Sequence, residues 1–435
     1  MKNTLLAGAV ASALTTLSIP ALADNGFISD SKANLALRNF YINQDNRSGS
    51  ASPSKSEEWG QGFLLDLRSG YTPGTVGFGL DATGQLGIRL DSGGRTDKPG
   101  RDRNPGAVFP LDSDNSAVSE FGRLDLTAKA RLSDTELRAG ALLPKLPVLT
   151  YNDGRLLPQT FRGVQLVSND IERLTLHLGQ IERASGRASS DYENLRIAGG
   201  TERVNQFRYA GGDYRLSDNL TTSYYFAELQ DYYRQHYLGA VHSTTLGGGK
   251  LSTDLRYFDS NAHGANRRNQ TGYGASGFNN NGEVDNRAAS LLFSYSQSGH
   301  SAGFGYQHLS GDSHFPFVNN GDGATAYLIT DSQIGKFQRA GERTWLARYA
   351  YDFAQAGIPG LRANATYLRG SNVNTNVSGA DNEWERDLRI DYSIQSGPLK
   401  NLGLSVRHAS LRSNVVGQRD QDEVRAIISY NLVLL

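Results

Sequence analysis

Cysteine is absent from the 435 residues, so no disulfide framework can staple this chain, and its stability must come from backbone pairing and packing. Long apolar runs are missing as well. Charged residues and glycines break every hydrophobic stretch after Ile19, and the mean hydropathy of −0.47 with 38% hydrophobic residues excludes a bundle of membrane-crossing helices. No excess charge of either sign exists. Lysines and arginines number 44, as do aspartates and glutamates, so bulk charge points to no partner and no nucleic-acid partner is expected. Prolines are scarce at 12, against 49 glycines and 21 tyrosines. That balance suits turns and interfacial aromatic girdles, and a β-barrel tolerates low hydropathy because only alternate residues meet lipid while the lumen stays polar.

The amino terminus carries an address. Met1 and Lys2 give a short basic start, Leu5 to Ile19 is uncharged, and Ala21-Leu22-Ala23 fits a small-x-small cleavage site. The pattern predicts a signal peptide over residues 1–23 and a single mature domain over 24–435. The stretch is short for a bilayer span and lacks stop-transfer flanks.

Alternation of period two recurs along the rest of the chain. From Val76 to Leu90, Phe78, Leu80, Leu86 and Ile88 share one face while Gly79, Asp81, Gln85 and Arg89 share the other. Strands of this length exceed the usual soluble range and suit a tilted membrane crossing. Trp59–Tyr71, Arg123–Leu132, Leu251–Tyr257, Trp345–Asp352 and Glu423–Tyr430 repeat the pattern. Short turns are expected at Thr72-Pro73-Gly74, Ser133-Asp134, Asn169-Asp170, Ser217-Asp218-Asn219, Ser298-Gly299 and Ser396-Gly397-Pro398. Long polar segments lie near 44–58, 91–119, 144–162, 182–204, 261–284, 311–341 and 372–382. Short turns at one end and long loops at the other predict a closed antiparallel transmembrane barrel of about eighteen strands in the cell outer membrane, wide enough for an aqueous lumen. Register is least defined between residues 182 and 245.

Parity points Arg38, Arg68, Arg131, Arg348, Arg389, Arg407 and Arg425 into that lumen. Closure makes the first and last strands neighbours, so Arg38, Arg389, Arg407 and Arg425 should share one wall. Guanidinium groups there would concentrate small anions and pass a carboxylate along. The competing reading is ordinary lumen charge paired with Asp387, Asp391 and Glu423. Segment 144–163 is more apolar than an exposed loop should be, with Leu146, Val148, Leu149, Leu156, Leu157 and Phe161 all needing burial. Folded against the inner wall, it would narrow the pore and present Tyr151, Asp153, Arg155 and Arg162. Packed on another loop, it would leave the pore wide.

Enzymatic readings are weak. Histidine and serine are adjacent at His300-Ser301 and Ser313-His314, but neighbours in a strand point to opposite faces. No nucleophile elbow, metal-binding helix or calcium loop is present, so no enzyme activity, cofactor or metal is expected. A surface adhesin would need a plugged lumen, and no segment resembles a plug domain.

Arg155-Leu156-Leu157-Pro158-Gln159-Thr160-Phe161 resembles the third-loop signature of the OprD-type outer membrane carboxylate channels. Gly26-Phe27-Ile28-Ser29-Asp30-Ser31, Leu37-Arg38-Asn39-Phe40-Tyr41, Gly74-Thr75-Val76-Gly77-Phe78-Gly79, Asp231-Tyr232-Tyr233-Arg234-Gln235 and Gly357-Ile358-Pro359-Gly360-Leu361 are similar too, in order, from about residue 26 to the carboxyl end. The resemblance implies an eighteen-stranded monomer or loose trimer with an inward-folded third loop. It also implies a basic row, mapping to Arg38, Arg131, Arg389, Arg407 and Arg425, and an eyelet region at Asp153, Arg155 and Arg162. The implied cargo is a small carboxylate-bearing nutrient. The implied surroundings are outer-membrane lipid and lipopolysaccharide, with barrel-assembly machinery during biogenesis. Ser405 departs from the OccD-like branch, which tends to carry a second arginine there; the OccK-like or BenF-like branch and aromatic or cyclic acids such as benzoate are therefore favoured. A channel for basic amino acids and peptides, or a general porin, are the alternatives. The chain ends in Leu435 rather than the aromatic residue usual in barrels, a trait the family shares.

Overall fold

The computed structural model describes residues 26–93, 102–278, 281–321 and 325–435. The expected signal peptide over 1–23 lies outside them. Among the described residues eighteen long strands form one sheet. These are β1 (Lys32–Asn46), β2 (Lys55–Arg68), β3 (Gly77–Ser92), β4 (Glu120–Leu132), β5 (Thr135–Leu142), β6 (Thr160–Ile171), β7 (Leu174–Ser185), β8 (Phe207–Ser217) and β9 (Leu220–Leu229). They continue with β10 (Tyr233–Leu246), β11 (Gly249–Ala262), β12 (Asp285–Gln297), β13 (His300–Ser310), β14 (Arg343–Asp352), β15 (Leu361–Ser371), β16 (Glu383–Ser393), β17 (Gly403–Ser413) and β18 (Gln421–Val433). Each pairs antiparallel with the next. The sheet closes where β1 meets β18, from Asn34 opposite Val433 to Asn46 opposite Gln421. No sheet edge is left, as a spanning barrel requires.

Alternation decides which face each side chain takes. On β4, Leu124 and Leu126 are 71% and 56% exposed on the outside, while Asp125 and Thr127 between them are buried on the inside. β3 follows the same rule, with Phe78, Leu80 and Leu86 outward and Asp81 and Gln85 inward. Tight hairpins join the strands at one end. Gly247-Gly248 and Ser298-Gly299 both have positive φ at both positions, the geometry that matches strand twist in a two-residue turn. The turn expected at Asn169-Asp170 has its tip at Glu172-Arg173, because the ladder slips register between Ser168 and Ile171 and Arg173 takes the positive φ.

The other end carries the loops. The seven long segments expected there are present, and two more connections join them: 230–232 and 414–420. Both are short enough to pass for turns, and the three-residue connection explains why register was hard to read between 182 and 245. Its last residue, Tyr232, and Tyr233 at the start of β10 are fully buried.

The apolar core lies inside the barrel, beneath inward-folded loops. One cluster joins loop residues Leu146, Leu149, Phe315 and Phe317 to wall residues Phe207, Tyr237 and Phe258. A second holds Leu156 and Leu157 against Phe40, Ile42, Phe109 and Phe121. A third seats Phe337 on Leu346, Leu368 and Leu411. Two of the three involve the loop 311–342, so two loops enter the lumen where one was expected.

His314 anchors this second loop. Its Nδ1 accepts a hydrogen bond from the Ala340 amide at 3.2 Å, and its ring meets Phe278 edge-on at 5.1 Å. Burial, then the nearby Arg339 charge, lowers its pKa from 6.5 to about 4. Below pH 6.5 an undocked His314 takes a proton that the docked one refuses. Docking therefore weakens as pH falls from 6.5 towards 4, by up to about 3 kcal/mol. Burial raises Asp331 and Glu342, which push the opposite way. His314→Asn keeps an acceptor and loses the titration. The expected result is faster amide exchange across 312–318 in the parent than in His314→Asn at pH 4.5, and equal exchange at pH 7.5. Parallel pH profiles would contradict the assignment.

Candidate functional site

Loop 143–159 leaves the wall after β5 and folds into the lumen. A two-residue ladder, Lys145–Leu146 with Leu149–Thr150, stiffens its base. Its tip closes through Gln159, whose amide donates to the Asn152 carbonyl at 2.8 Å, and through the Gly154 amide on Asn152 Oδ1 at 2.7 Å. Glycines on the inner wall make its bed. A Cβ on Gly60 would fall 2.5 Å from Phe109 and 2.9 Å from Leu156, and one on Gly62 would fall 3.1 Å from Leu156. Leu156 and Leu157 fill that space and are 0% exposed.

The docked tip meets a wall of arginines. Register places Arg389 opposite Arg407 and Arg407 opposite Arg425, on β16, β17 and β18. Adjacent strands are about 4.8 Å apart, so three guanidinium groups stand side by side. Arg38 lies on β1 four residues from Ile42, the partner of Arg425, which is roughly 13 Å nearer the turn end. Arg38 binds both carboxylate oxygens of Asp153, at 2.7 and 3.1 Å, and donates to the Arg155 carbonyl at 2.8 Å. Arg425 is largely spent on structure. It pairs with Glu423 at 2.5 Å and donates to the carbonyls of Gly154 at 3.1 Å and Gln333 at 3.0 Å. Arg389 pairs with Asp391 at 2.8 Å and is half exposed. Arg407 differs. Its Nε donates to Ser405 Oγ at 3.2 Å, and among the described residues no carboxylate lies within ion-pair distance. An incoming anion would displace no carboxylate there.

Loop 311–342 supplies the opposite lip. It bridges to the other loop at Thr150–Thr325. Buried wall carboxylates hold its strap 333–335. Glu385 accepts from the Ile334 and Gly335 amides at 2.8 and 2.6 Å, Asp387 from the Gln333 amide at 3.3 Å, and Glu423 from Gln333 Nε2 at 3.0 Å. Arg187, from the connection after β7, reaches Asn152 Oδ1 at 3.3 Å. Of the acids offered as partners for the arginine row, Asp391 pairs with Arg389 and Glu423 with Arg425, while Asp387 helps fasten the loop and Glu423 does both. Neither Arg187 nor Gln333 was marked in the sequence.

The remaining candidates stand elsewhere. Arg131 is one residue from the turn end of β4, on a different part of the wall, with its guanidinium 4.3 Å from the Tyr71 ring centroid. Arg155 turns away to donate to the Ala107 carbonyl at 2.7 Å. Arg162 bridges the gap left where the loop departs, pairing with Asp125 at 3.3 Å and lying 4.6 Å from the Tyr192 ring. Tyr151 packs at the edge of the first cluster, 5.5 Å from the Lys145 ammonium. Asp153 is the candidate from the loop tip that meets the row, and its side chain remains 42% exposed.

A closed barrel with a polar lumen, narrowed by loops around fixed charges, defines a diffusion channel of the outer membrane. A family model for outer membrane porins of the OprD family matches residues 25–434, and the chain belongs to that family. It is 38% identical over 423 residues to the porin-like protein GalP of Pseudomonas putida, covering 97% of this chain and 96% of that one. Among solved structures it is similar to Pseudomonas aeruginosa OccK8 (OprE), with 52% identity, a TM-score of 0.85, and coverage of 94% of this chain and 100% of that one. It is also similar to Pseudomonas aeruginosa OpdK with vanillate, at 37% identity and a TM-score of 0.83, with the same coverage. The likeness to an OccK porin agrees with the branch that Ser405 favoured. These relatives are channels, and the chain is a porin and not an enzyme.

Proposed function

We propose that this porin is a substrate-selective channel for small carboxylate-bearing nutrients, with aromatic or cyclic acids such as benzoate as its preferred cargo. The observation that carries this reading is Arg407, a half-buried lumen arginine without a carboxylate partner, flanked by Arg389 and Arg425. Three adjacent like charges repel, and a carboxylate seated among them relieves that repulsion and accepts paired hydrogen bonds. Arg38 with Asp153 forms the next charged step, where a departing carboxylate is exchanged against a resident one. The OpdK structure with vanillate supports an aromatic acid as the cargo class. On the same reading residues 1–23 are removed during export, the barrel-assembly machinery inserts the remainder, and the channel works as a monomer or a loose trimer.

Uptake into proteoliposomes tests the cargo. Benzoate and vanillate should enter faster than arginine and faster than uncharged sugars of similar size. Equal rates for sugars and acids would make it a general porin, and faster arginine would place it with the basic amino-acid channels. Arg389→Ala with Arg407→Ala should lower the anion-to-cation permeability ratio several-fold while leaving conductance in high salt close to the parent's. An unchanged reversal potential in a salt gradient would remove the row from the reading.

A further inference from the structure

The outer face of the barrel carries a second set of arginines that the channel does not use. On β14 to β17, Leu346, Leu368, Glu385 and Leu411 point inward and are buried. Their neighbours point outward, and the ladders set four of them in one row. Trp345 stands opposite Arg369, Arg369 opposite Trp384, and Trp384 opposite Arg412. Arg343 sits two residues above Trp345, at the loop end of β14, and Arg386 two residues below Trp384. Arg343, Arg369 and Arg386 are exposed, and among the described residues none of the three has a carboxylate within 4.0 Å. Arg412 has one, Asp422 at 2.9 Å. Outward arginines on the preceding strands differ: Arg234 on β10 is neutralised by Glu228 at 2.7 Å and Arg287 on β12 by Asp285 at 3.1 Å, while Arg208 on β8 donates to Gln180 at 3.0 Å. Below the row the surface turns apolar, with Leu388, Ile390 and Val406 at 43%, 56% and 56% exposure.

Unpaired cations at the bilayer edge, interleaved with indole rings and continuous with a lipid-facing apolar surface, match one kind of occupant. We propose that this patch binds a phosphorylated glycolipid of the outer leaflet, such as lipid A. Its phosphates sit between Arg343, Arg369 and Arg386, and its acyl chains lie along the Leu388 and Val406 columns. Guanidinium groups match phosphate with paired hydrogen bonds, tryptophans settle at the headgroup level, and anionic headgroups attract each nearby cation. A free phosphate ion would use the charges but gain nothing from the apolar columns beneath them.

The test uses the purified full barrel in detergent, titrated with lipid A, with lipid A stripped of its phosphates, and with inorganic phosphate, and read by native mass spectrometry and thermal shift. Lipid A should bind and raise the unfolding temperature. Arg343→Ser, Arg369→Ser and Arg386→Ser together should weaken binding roughly a hundredfold, at about fivefold per arginine. A control with Arg208→Ser, Arg234→Ser and Arg287→Ser should stay within a few-fold of the parent, and single-channel conductance should be unchanged in the first triple variant. Unchanged lipid A binding by that variant overturns the proposal. Equal binding of intact and phosphate-free lipid by the parent also overturns it, and that arm needs no variant to fold. Displacement of lipid A by inorganic phosphate at comparable affinity would assign the site to a free anion and overturn it as well.

Discussion

Leu156→Asp together with Leu157→Asp should raise single-channel conductance several-fold and abolish the preference among small solutes. Both side chains are 0% exposed within the cluster formed by Phe40, Ile42, Phe109 and Phe121. Burying each contributes roughly 1.5–3 kcal/mol, and a carboxylate placed there without a partner costs several more. That exceeds what Arg38 on Asp153 and Arg155 on the Ala107 carbonyl can hold, since exposed or half-buried pairs contribute about 1 kcal/mol each. The loop then leaves its glycine bed. The barrel survives, because residues 143–159 belong to none of its strand ladders. Gly60→Leu should have the same effect from the wall side, since any side chain there occupies the space of Phe109 and Leu156. Parent-like conductance in both variants would mean that the loop stays inside by other contacts.

The barrel was legible because its physics repeats. Period-two alternation, an apolar belt on one face and turn chemistry every second connection are written in each strand, so errors in one do not spread. The inward loop 143–159 was legible because Leu156, Leu157 and Phe161 had to be dry. The same logic applies to Phe315, Phe317, Ile334 and Phe337 in loop 311–342, but polar residues and glycines dilute the signal there. Side-chain roles were harder to read. Parity puts Arg131 and Arg407 on the same inner surface but does not give height or position around the wall. Arg131 is at the turn end beside Tyr71, whereas Arg407 is level with the loop tip. Parity also cannot say which arginines are already spoken for. That depends on loop carbonyls, such as those of Gly154 and Gln333, whose positions follow only from the folded loops.

Arg425 gives the sharpest separation of structure from selectivity. It is 7% exposed, and its guanidinium ties β18 to both inward loops through the Gly154 and Gln333 carbonyls. Arg425→Met removes those ties and strands Glu423, itself 1% exposed, with Gln44 at 2.7 Å and Gln333 at 3.0 Å as its remaining side-chain partners among the described residues. Breaking one side of a buried ion pair costs about 3–5 kcal/mol. The expected result is a lower unfolding temperature in detergent together with frequent brief conductance steps as both loop tips loosen. Adding Glu423→Gln removes the stranded charge and should restore most of the thermal stability. It should not quiet the channel, because the two carbonyls still lack their donor. Separate recovery of the two readouts is the signature of a clamp. If Arg425→Met is as quiet as the parent, Arg425 is not holding the loops. Its place beside Arg407 would then matter for the field in the lumen, and a fall in anion preference without gating would be the outcome that shows it.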